Sequence, residues 1–167
     1  MPQALTHQLA DAIAGAADLY HSLVLVVGPP RSGKSQTLRH VADEKGWPLI
    51  NINLTLAEQL LELTAKQRTL KLPRLLDDIA REHEAEVLIL DNIELLFDTH
   101  LEQDPLRLLQ GLARNRTIVA SWAGEFEGEY LSYAAPTHPE YRRYHQPDAV
   151  CVNTLPAIGK PGTEESA

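Results

Sequence analysis

The chain has 167 residues, 44% of them hydrophobic, which is enough to bury a single core and favours one domain. Its 15 Lys and Arg against 23 Asp and Glu give a formal net charge of -8, which argues against direct DNA binding by the isolated chain. One cysteine excludes an internal disulfide, and the sequence shows neither a secretory leader nor a run of about 18 apolar residues, so we expect a cytoplasmic protein outside the membrane.

Periodic apolar residues predict helices and strands that alternate along the chain. Residues 3–20 predict an amphipathic helix packed on the domain, with an apolar stripe made of Leu5, Leu9, Ile13, Ala16 and Tyr20. Five short apolar runs then predict buried parallel strands at 23–27, 49–52, 87–90, 117–120 and 149–152. Helical patterns lie between them at 34–45, 56–64, 73–83 and 105–113, and Pro73 and Pro105 suit first helical turns.

This alternation predicts an α/β fold, a three-layer sandwich built on a five-stranded, mainly parallel sheet. The predicted division is a helix at 1–20 packed on the core, a main domain at 21–155 and a disordered tail at 156–167. The tail is rich in Pro, Gly and Glu and has almost nothing apolar, so burial cannot offset the entropy lost on ordering it. We expect no helical lid after the fifth strand.

A glycine-rich segment joins the first of these strands to the next helix, and we predict that it binds the phosphates of a nucleotide. Its Gly, four residues, Gly-Lys-Ser pattern arises by chance in roughly one chain of this length in two hundred. Glycines here let backbone N–H groups point inward at a positive helix end, and a lysine and a serine then reach the phosphates and Mg²⁺. The predicted binding residues are Gly28, Pro29, Pro30, Arg31, Ser32, Gly33, Lys34, Ser35 and Gln36. For Arg31, phosphate contact and simple solvation are both open.

A second motif, four apolar residues followed by Asp91, ends the third predicted strand. With an upstream phosphate loop, this pattern predicts an acid that holds Mg²⁺ through water, opposite Ser35. The predicted cofactors are therefore ATP and Mg²⁺, with Ser35 and Asp91 at the metal.

The residues after Asp91 bear on hydrolysis. Many hydrolytic P-loop proteins place Glu directly after this Asp, where it polarises the attacking water, but here that position is Asn92. An amide can orient water and cannot accept its proton. Glu94 is the nearest carboxylate and our candidate base, although Glu94 could instead cap the following segment.

Three further residues are candidates for contact with the γ-phosphate. Ser121, at the predicted end of the fourth strand, is a candidate to contact the γ-phosphate and sense its presence, or else to hydrogen-bond to nearby backbone groups. Residues 124–146 predict a long loop, and such loops are usually functional. Its Arg142 and Arg143 suit an arginine that reaches the nucleotide of a neighbouring copy, or else form a solvated or ion-paired patch.

Two other features carry less specific information. The basic residues between Lys66 and Arg74 favour a solvated connection, or contact with a partner or nucleic acid in an assembled ring. The seven histidines have no metal-ligand spacing, so we predict no zinc site.

Four segments of the chain together resemble one family. They are the phosphate loop, Asp91-Asn92-Ile93-Glu94-Leu95-Leu96-Phe97-Asp98, residues 104–110, and His138-Pro139-Glu140-Tyr141-Arg142-Arg143-Tyr144. This is the BrxF family, the small P-loop proteins of type 3 BREX bacteriophage-defence systems, and the similarity covers residues 9–152. The resemblance implies a bacterial cytoplasmic protein that works beside other defence-system proteins, including a DNA methyltransferase.

We therefore expect an AAA+-like core without a helical lid, in a homo-oligomer that binds ATP and hydrolyses it slowly or on stimulation by a partner. One alternative is a nucleotide-gated binding or assembly module with negligible hydrolysis. Another is a small-molecule kinase, with residues 54–74 as the acceptor region and Arg142 and Arg143 as its lid. Measured turnover, and phosphate transfer to small acceptors, distinguish the three.

Overall fold

Helices and strands alternate along residues 2–154, which the computed structural model describes; the predicted tail lies outside them. The first half contains α1 (Pro2–Ala16), β1 (Leu23–Gly28), α2 (Lys34–Lys45), β2 (Leu49–Asn51), α3 (Ile52–Leu60) and α4 (Ala65–Arg81). The second half contains β3 (Val87–Asp91), two short 3-10 helices (Glu94–Phe97 and Thr99–Leu101), α5 (Pro105–Leu112), β4 (Thr117–Glu127), β5 (Tyr130–Tyr133), β6 (Arg142–His145) and β7 (Val150–Asn153). Within residues 2–154, every helix is too short or too polar to cross a membrane.

Five parallel strands form the centre of the sheet in the order β2-β3-β4-β1-β7. All six residues of β1 are buried, because β4 and β7 pair with its two edges and helices cover its two faces. Helices α1 and α2 pack on one face, and α3, α4 and α5 pack on the other. The predicted three-layer α/β sandwich and its five parallel strands are confirmed.

Helix α1 packs on the sheet through Leu9, Ile13 and Ala16, which meet Val24 and Val26 of β1. The helix ends at Ala16, so the predicted extension of its apolar stripe to Tyr20 is wrong. The chain must leave the helix to enter β1 at Leu23, and Tyr20 is 69% exposed in that connection.

Helix α4 begins well before the predicted start at Pro73, because Thr64 and Gln67 form a capping box at its amino end. Pro73 therefore lies inside the helix, not in its first turn. A proline there has no N–H for the carbonyl four residues earlier, that of Thr69. Gln103 supplies the missing donor, with its Nε2 atom 2.9 Å from the Thr69 oxygen.

Residues 124–146 are not the long loop that we predicted. Strand β4 continues to Glu127, and β5 and β6 add an antiparallel ribbon to it, so the complete sheet has seven strands. Gly128, with φ 64°, allows the tight turn between β4 and β5. The ribbon is anchored by aromatic packing, because Tyr133 stacks on Phe97 with ring centroids 3.4 Å apart and Trp122 donates to the Ser132 carbonyl at 3.0 Å.

Cys151, which is half-buried on β7, is predicted to be an unreactive thiol. Desolvation raises the pKa of Cys151 to about 12, so almost no thiolate exists at pH 8. We expect iodoacetamide to label Cys151 on the order of 100-fold more slowly in the folded protein than in urea, measured by mass spectrometry. The folded rate should keep rising above pH 9, where the rate of the unfolded chain levels off. Equal rates in the two states would contradict the placement of this strand.

Candidate functional site

A cleft of about 1010 Å³ lies at the carboxyl ends of β1, β3 and β4. One wall is the segment that follows β1, and another is the segment around Asp91. The ribbon formed by the end of β4 with β5 and β6 covers the remaining side. In parallel α/β sheets, ligands bind at this edge, so the cleft is the candidate functional site.

The turn after β1 depends on its two glycines for different reasons. Gly33 has φ 92°, a left-handed backbone conformation that residues with a Cβ rarely adopt. A Cβ on Gly28 would instead collide with the side chains of Ser32 and Thr154, which hydrogen-bond to each other at 2.9 Å. The backbone of Arg31 is also strained, because its φ of 64° lies in the left-handed region. The loop is therefore tightly wound and leads directly into α2.

Lys34 is the buried cation of the cleft, with 8% of its surface exposed. Its Nζ atom donates to the carbonyls of Gly28 at 3.0 Å and Pro29 at 2.7 Å. Burial lowers the pKa of Lys34, while Glu94 and then Asp91 oppose that change. The ammonium thus bridges its own loop and faces two carboxylates.

The predicted loop residues divide into two groups. Pro29, Pro30, Arg31, Lys34 and Ser35 line the cleft. The other four shape or flank the loop and lie outside the cleft lining: Gly28, Ser32, Gly33 and Gln36. Gln36 is exposed on α2, so its predicted nucleotide contact has no support from its position.

Asp91 ends β3 facing the cleft, only 6% exposed. Its carboxylate accepts the backbone N–H of Asn92 at 2.9 Å. With the Asn92 amide oriented to donate, its nitrogen lies 3.3 Å from each Asp91 oxygen. Asn92 also has φ 52°, a conformation that Asn tolerates better than most residues. The amide is therefore occupied with the carboxylate beside it.

Asn53 is a site residue that sequence analysis missed. Its Nδ2 donates to Glu94 Oε1 at 3.2 Å, and its Oδ1 accepts the Leu95 N–H at 2.7 Å. Its backbone N–H donates to the Asn92 carbonyl at 2.8 Å. These three bonds hold Glu94 at the cleft. The sequence signal that could have identified Asn53 is its position just after β2, because β2 pairs with β3, the strand that ends at Asp91.

Ser121 is not where we predicted. Strand β4 does not end there, and Ser121 lies beside Val26, two residues before Gly28 in the register. It is 2% exposed and does not line the cleft, and its Oγ has no hydrogen-bond partner within residues 2–154. The β4 residues that do reach the cleft are Ala123, Gly124, Glu125 and Glu127. The structure therefore places Ser121 outside the cleft lining, and its contact with the γ-phosphate stays a prediction.

Arg142 and Arg143 point in different directions, as neighbours on a strand do. Arg142 donates to the Gln103 carbonyl at 2.7 Å, away from the cleft. Arg143 lines the cleft of its own chain. The reach of either arginine to a neighbouring copy stays a prediction.

The kinase alternative places its acceptor region at residues 54–74. These residues lie on α3, α4 and their connection, and none of them lines the cleft. The structure therefore gives this alternative no support, and it stays untested.

The geometry can be compared with known proteins. A family model, "ATPase family associated with various cellular activities (AAA)", matches residues 24–117, more than half of the chain. The chain belongs to the AAA family. This AAA protein therefore has a nucleotide-binding P-loop ATPase domain, and the phosphate loop and Asp91 both lie inside the matched range.

One solved structure has a similar fold. A solved structure, that of C. elegans PCH-2, is similar over 92% of this chain with 15% identity and a TM-score of 0.47. The AAA protein covers 42% of that chain. No curated protein matches it.

The contacts of Asn53 predict a specific loss of stability. Asn53→Ala leaves the Leu95 N–H without its partner and releases Glu94, so we expect about 1–3 kcal/mol of destabilisation in urea unfolding. The matched control is Asn115→Ala, because Asn115 is an exposed asparagine, and it should change stability by less than about 0.5 kcal/mol. Equal effects of the two substitutions would show that Asn53 does not clamp the segment after Asp91.

Proposed function

We propose that this AAA protein binds ATP with Mg²⁺ and hydrolyses it slowly or on stimulation by a partner. The observation that carries the proposal is the convergence of Lys34, Ser35, Asp91 and Glu94 on one cleft. We further propose, from the resemblance to the BrxF family, that it acts in a bacteriophage-defence complex in the bacterial cytoplasm, as a homo-oligomer with other defence proteins.

Lys34 and the loop amides would bind the triphosphate. In the structure the ammonium is shared by two carbonyls of its own loop. Phosphate oxygens carry more negative charge than carbonyls, and a desolvated cation attracts charge strongly because little water screens it. Binding would therefore exchange neutral partners of Lys34 for charged ones.

The Mg²⁺ site is supported by its donor set. Ser35 and Asp91 line the same cleft and offer a hydroxyl and a carboxylate, the oxygen ligands that Mg²⁺ takes together with phosphates and water. When bound, Mg²⁺ would neutralise charge on the β and γ phosphates.

Slow turnover follows from the groups beside Asp91. Asn92 occupies the usual position of the base, and its amide contacts Asp91. Glu94 is the carboxylate that can accept a proton from water, and Asn53 holds it at the cleft. Glu94 lies two residues after the usual position of the base, so the attacking water would have to occupy a different position to reach it. We therefore expect a low basal rate of hydrolysis.

The second candidate is a nucleotide-gated binding or assembly module that hardly hydrolyses ATP. The observation in its favour is the Asn92 side chain, which cannot accept a proton and is bound to the carboxylate of Asp91. Turnover of the isolated protein separates the two candidates: a measurable rate that Lys34→Ala abolishes supports an ATPase.

Lys34→Ala should abolish triphosphate binding and leave the fold intact, because the ammonium supplies charge at the loop while the apolar core lies elsewhere. Calorimetric titration with ATP and Mg²⁺ measures the affinity, and circular dichroism checks the fold. Lys45→Ala, which removes an exposed lysine at the end of α2, should bind ATP as the parent does. Unchanged affinity of the Lys34 variant would refute the nucleotide assignment.

Asp91→Ala should weaken ATP binding more in Mg²⁺ than in EDTA, because the carboxylate acts through the metal ion. The two affinities of parent and variant are compared by the same titration. If the substitution weakens both equally, Asp91 has no role at the metal.

Glu94→Gln should lower turnover while ATP affinity stays the same, because the amide keeps the shape of the side chain and cannot accept a proton. A positioned base contributes about 10² to 10⁴ in rate, so the loss should lie in that range. Asn92→Glu should raise turnover by placing a carboxylate at the usual position. Parental turnover that persists in Glu94→Gln would make Glu94 a structural acid.

A further inference from the structure

The ribbon presents one cation to the cleft. Arg143 on β6 stacks over the ring of Tyr130 on β5, with the guanidinium carbon 3.7 Å from the ring centroid. Both residues line the cleft that contains Lys34 and Ser35. Within residues 2–154, Arg143 forms no ion pair. A guanidinium at a phosphate-binding cleft, without a carboxylate partner, is available to a ligand anion.

The stacking geometry leaves the hydrogen-bonding groups of Arg143 free. A guanidinium is planar, and its N–H groups all point outward in that plane. Contact with an aromatic ring uses the face of the plane, so the edge remains open. Tyr130 therefore fixes the direction of the side chain without using its donors.

The neighbouring arginine shows the contrast. Arg142 is tied to the Gln103 carbonyl, and Tyr144, on the same side of β6, donates to Asp104 at 2.9 Å. That side of the strand is fixed to the core, which turns the other side, with Arg143, toward the cleft. The hydrogen bonds of β5 to β4 connect Arg143 to the strand beside the phosphate loop.

We propose that Arg143 is a ligand of the γ-phosphate of the nucleotide bound to its own chain, and that Tyr130 is its positioning residue. The inference rests on the proposed function, since it requires ATP at the phosphate loop. Lys34 meets the phosphates from the loop side, and Arg143 meets the terminal phosphate from the ribbon side. The chain then distinguishes ATP from ADP without an arginine from a neighbouring copy.

The first test compares affinities for ADP and for an ATP analogue that resists hydrolysis, both with Mg²⁺. Arg143→Ala should weaken the analogue about tenfold, as expected for one charge-assisted hydrogen bond, and change ADP by less than about twofold. Arg81→Ala is the control, because Arg81 is an exposed arginine on α4 that pairs with Asp77 and lies outside the cleft lining. Equal losses for both nucleotides, or none, overturn the proposal.

Tyr130 is tested by rescue. Tyr130→Ala should weaken the analogue selectively, as Arg143→Ala does, because the guanidinium loses its fixed direction. Tyr130→Phe keeps the ring face and should retain the affinity of the parent. Arg143→Lys should not restore binding, since an ammonium does not present a planar edge. If Tyr130→Phe fails as Tyr130→Ala does, the ring does not position Arg143.

An experiment that mixes two variants shows whether Arg143 acts on the nucleotide of its own chain or on that of a neighbouring chain. Arg143→Ala is titrated with the analogue in the presence of excess Lys34→Ala, which keeps Arg143 but lacks the phosphate-binding lysine. The proposal expects no recovery of affinity, and recovery would show that the arginine comes from a neighbour. Failure of the proposed function is distinct, because the parent would then bind neither ADP nor the analogue.

Discussion

The pairing of β1 on both edges is the constraint on which the site depends. Because β4 and β7 run parallel to β1, all three strands end at the same edge of the sheet. The register places Gly28 beside Ala123, and the Thr154 N–H donates to the Val27 carbonyl at 2.8 Å. Through its hydroxyl, Thr154 also holds Ser32. The last described strand therefore secures the phosphate loop, although it is far from it in sequence.

A second constraint is the charge buried behind that loop. Lys34 is buried, and the carboxylates of Glu94 and Asp91 oppose the lowering of its pKa that burial causes. Asp91 ends β3, and Glu94 begins the short helix that follows it. Asn53 links this segment to the start of α3. The loop, the strand end and the helix start are thus connected through polar groups, so a change in the partners of Lys34 also changes the electrostatic environment of these two carboxylates.

The sequence predicted the parts of the site that depend on local patterns. Periodicity identified the five parallel strands, and the glycine and lysine spacing identified the loop. The ribbon escaped prediction because its strands carry mixed polar and aromatic residues, which pack only once Tyr133 meets Phe97 across the fold. Asn53 was missed because its role needs a contact 41 residues away in the chain, and Pro73 was misplaced because Gln103 satisfies the carbonyl that it leaves free.

Native mass spectrometry of the full chain with and without ATP and Mg²⁺ tests the central claim most directly, since it reports bound nucleotide and assembly together. We expect one nucleotide per chain in the presence of Mg²⁺, whatever the number of chains in the assembly. A spectrum with no bound nucleotide, at concentrations where other P-loop proteins are saturated, would contradict the account of the cleft.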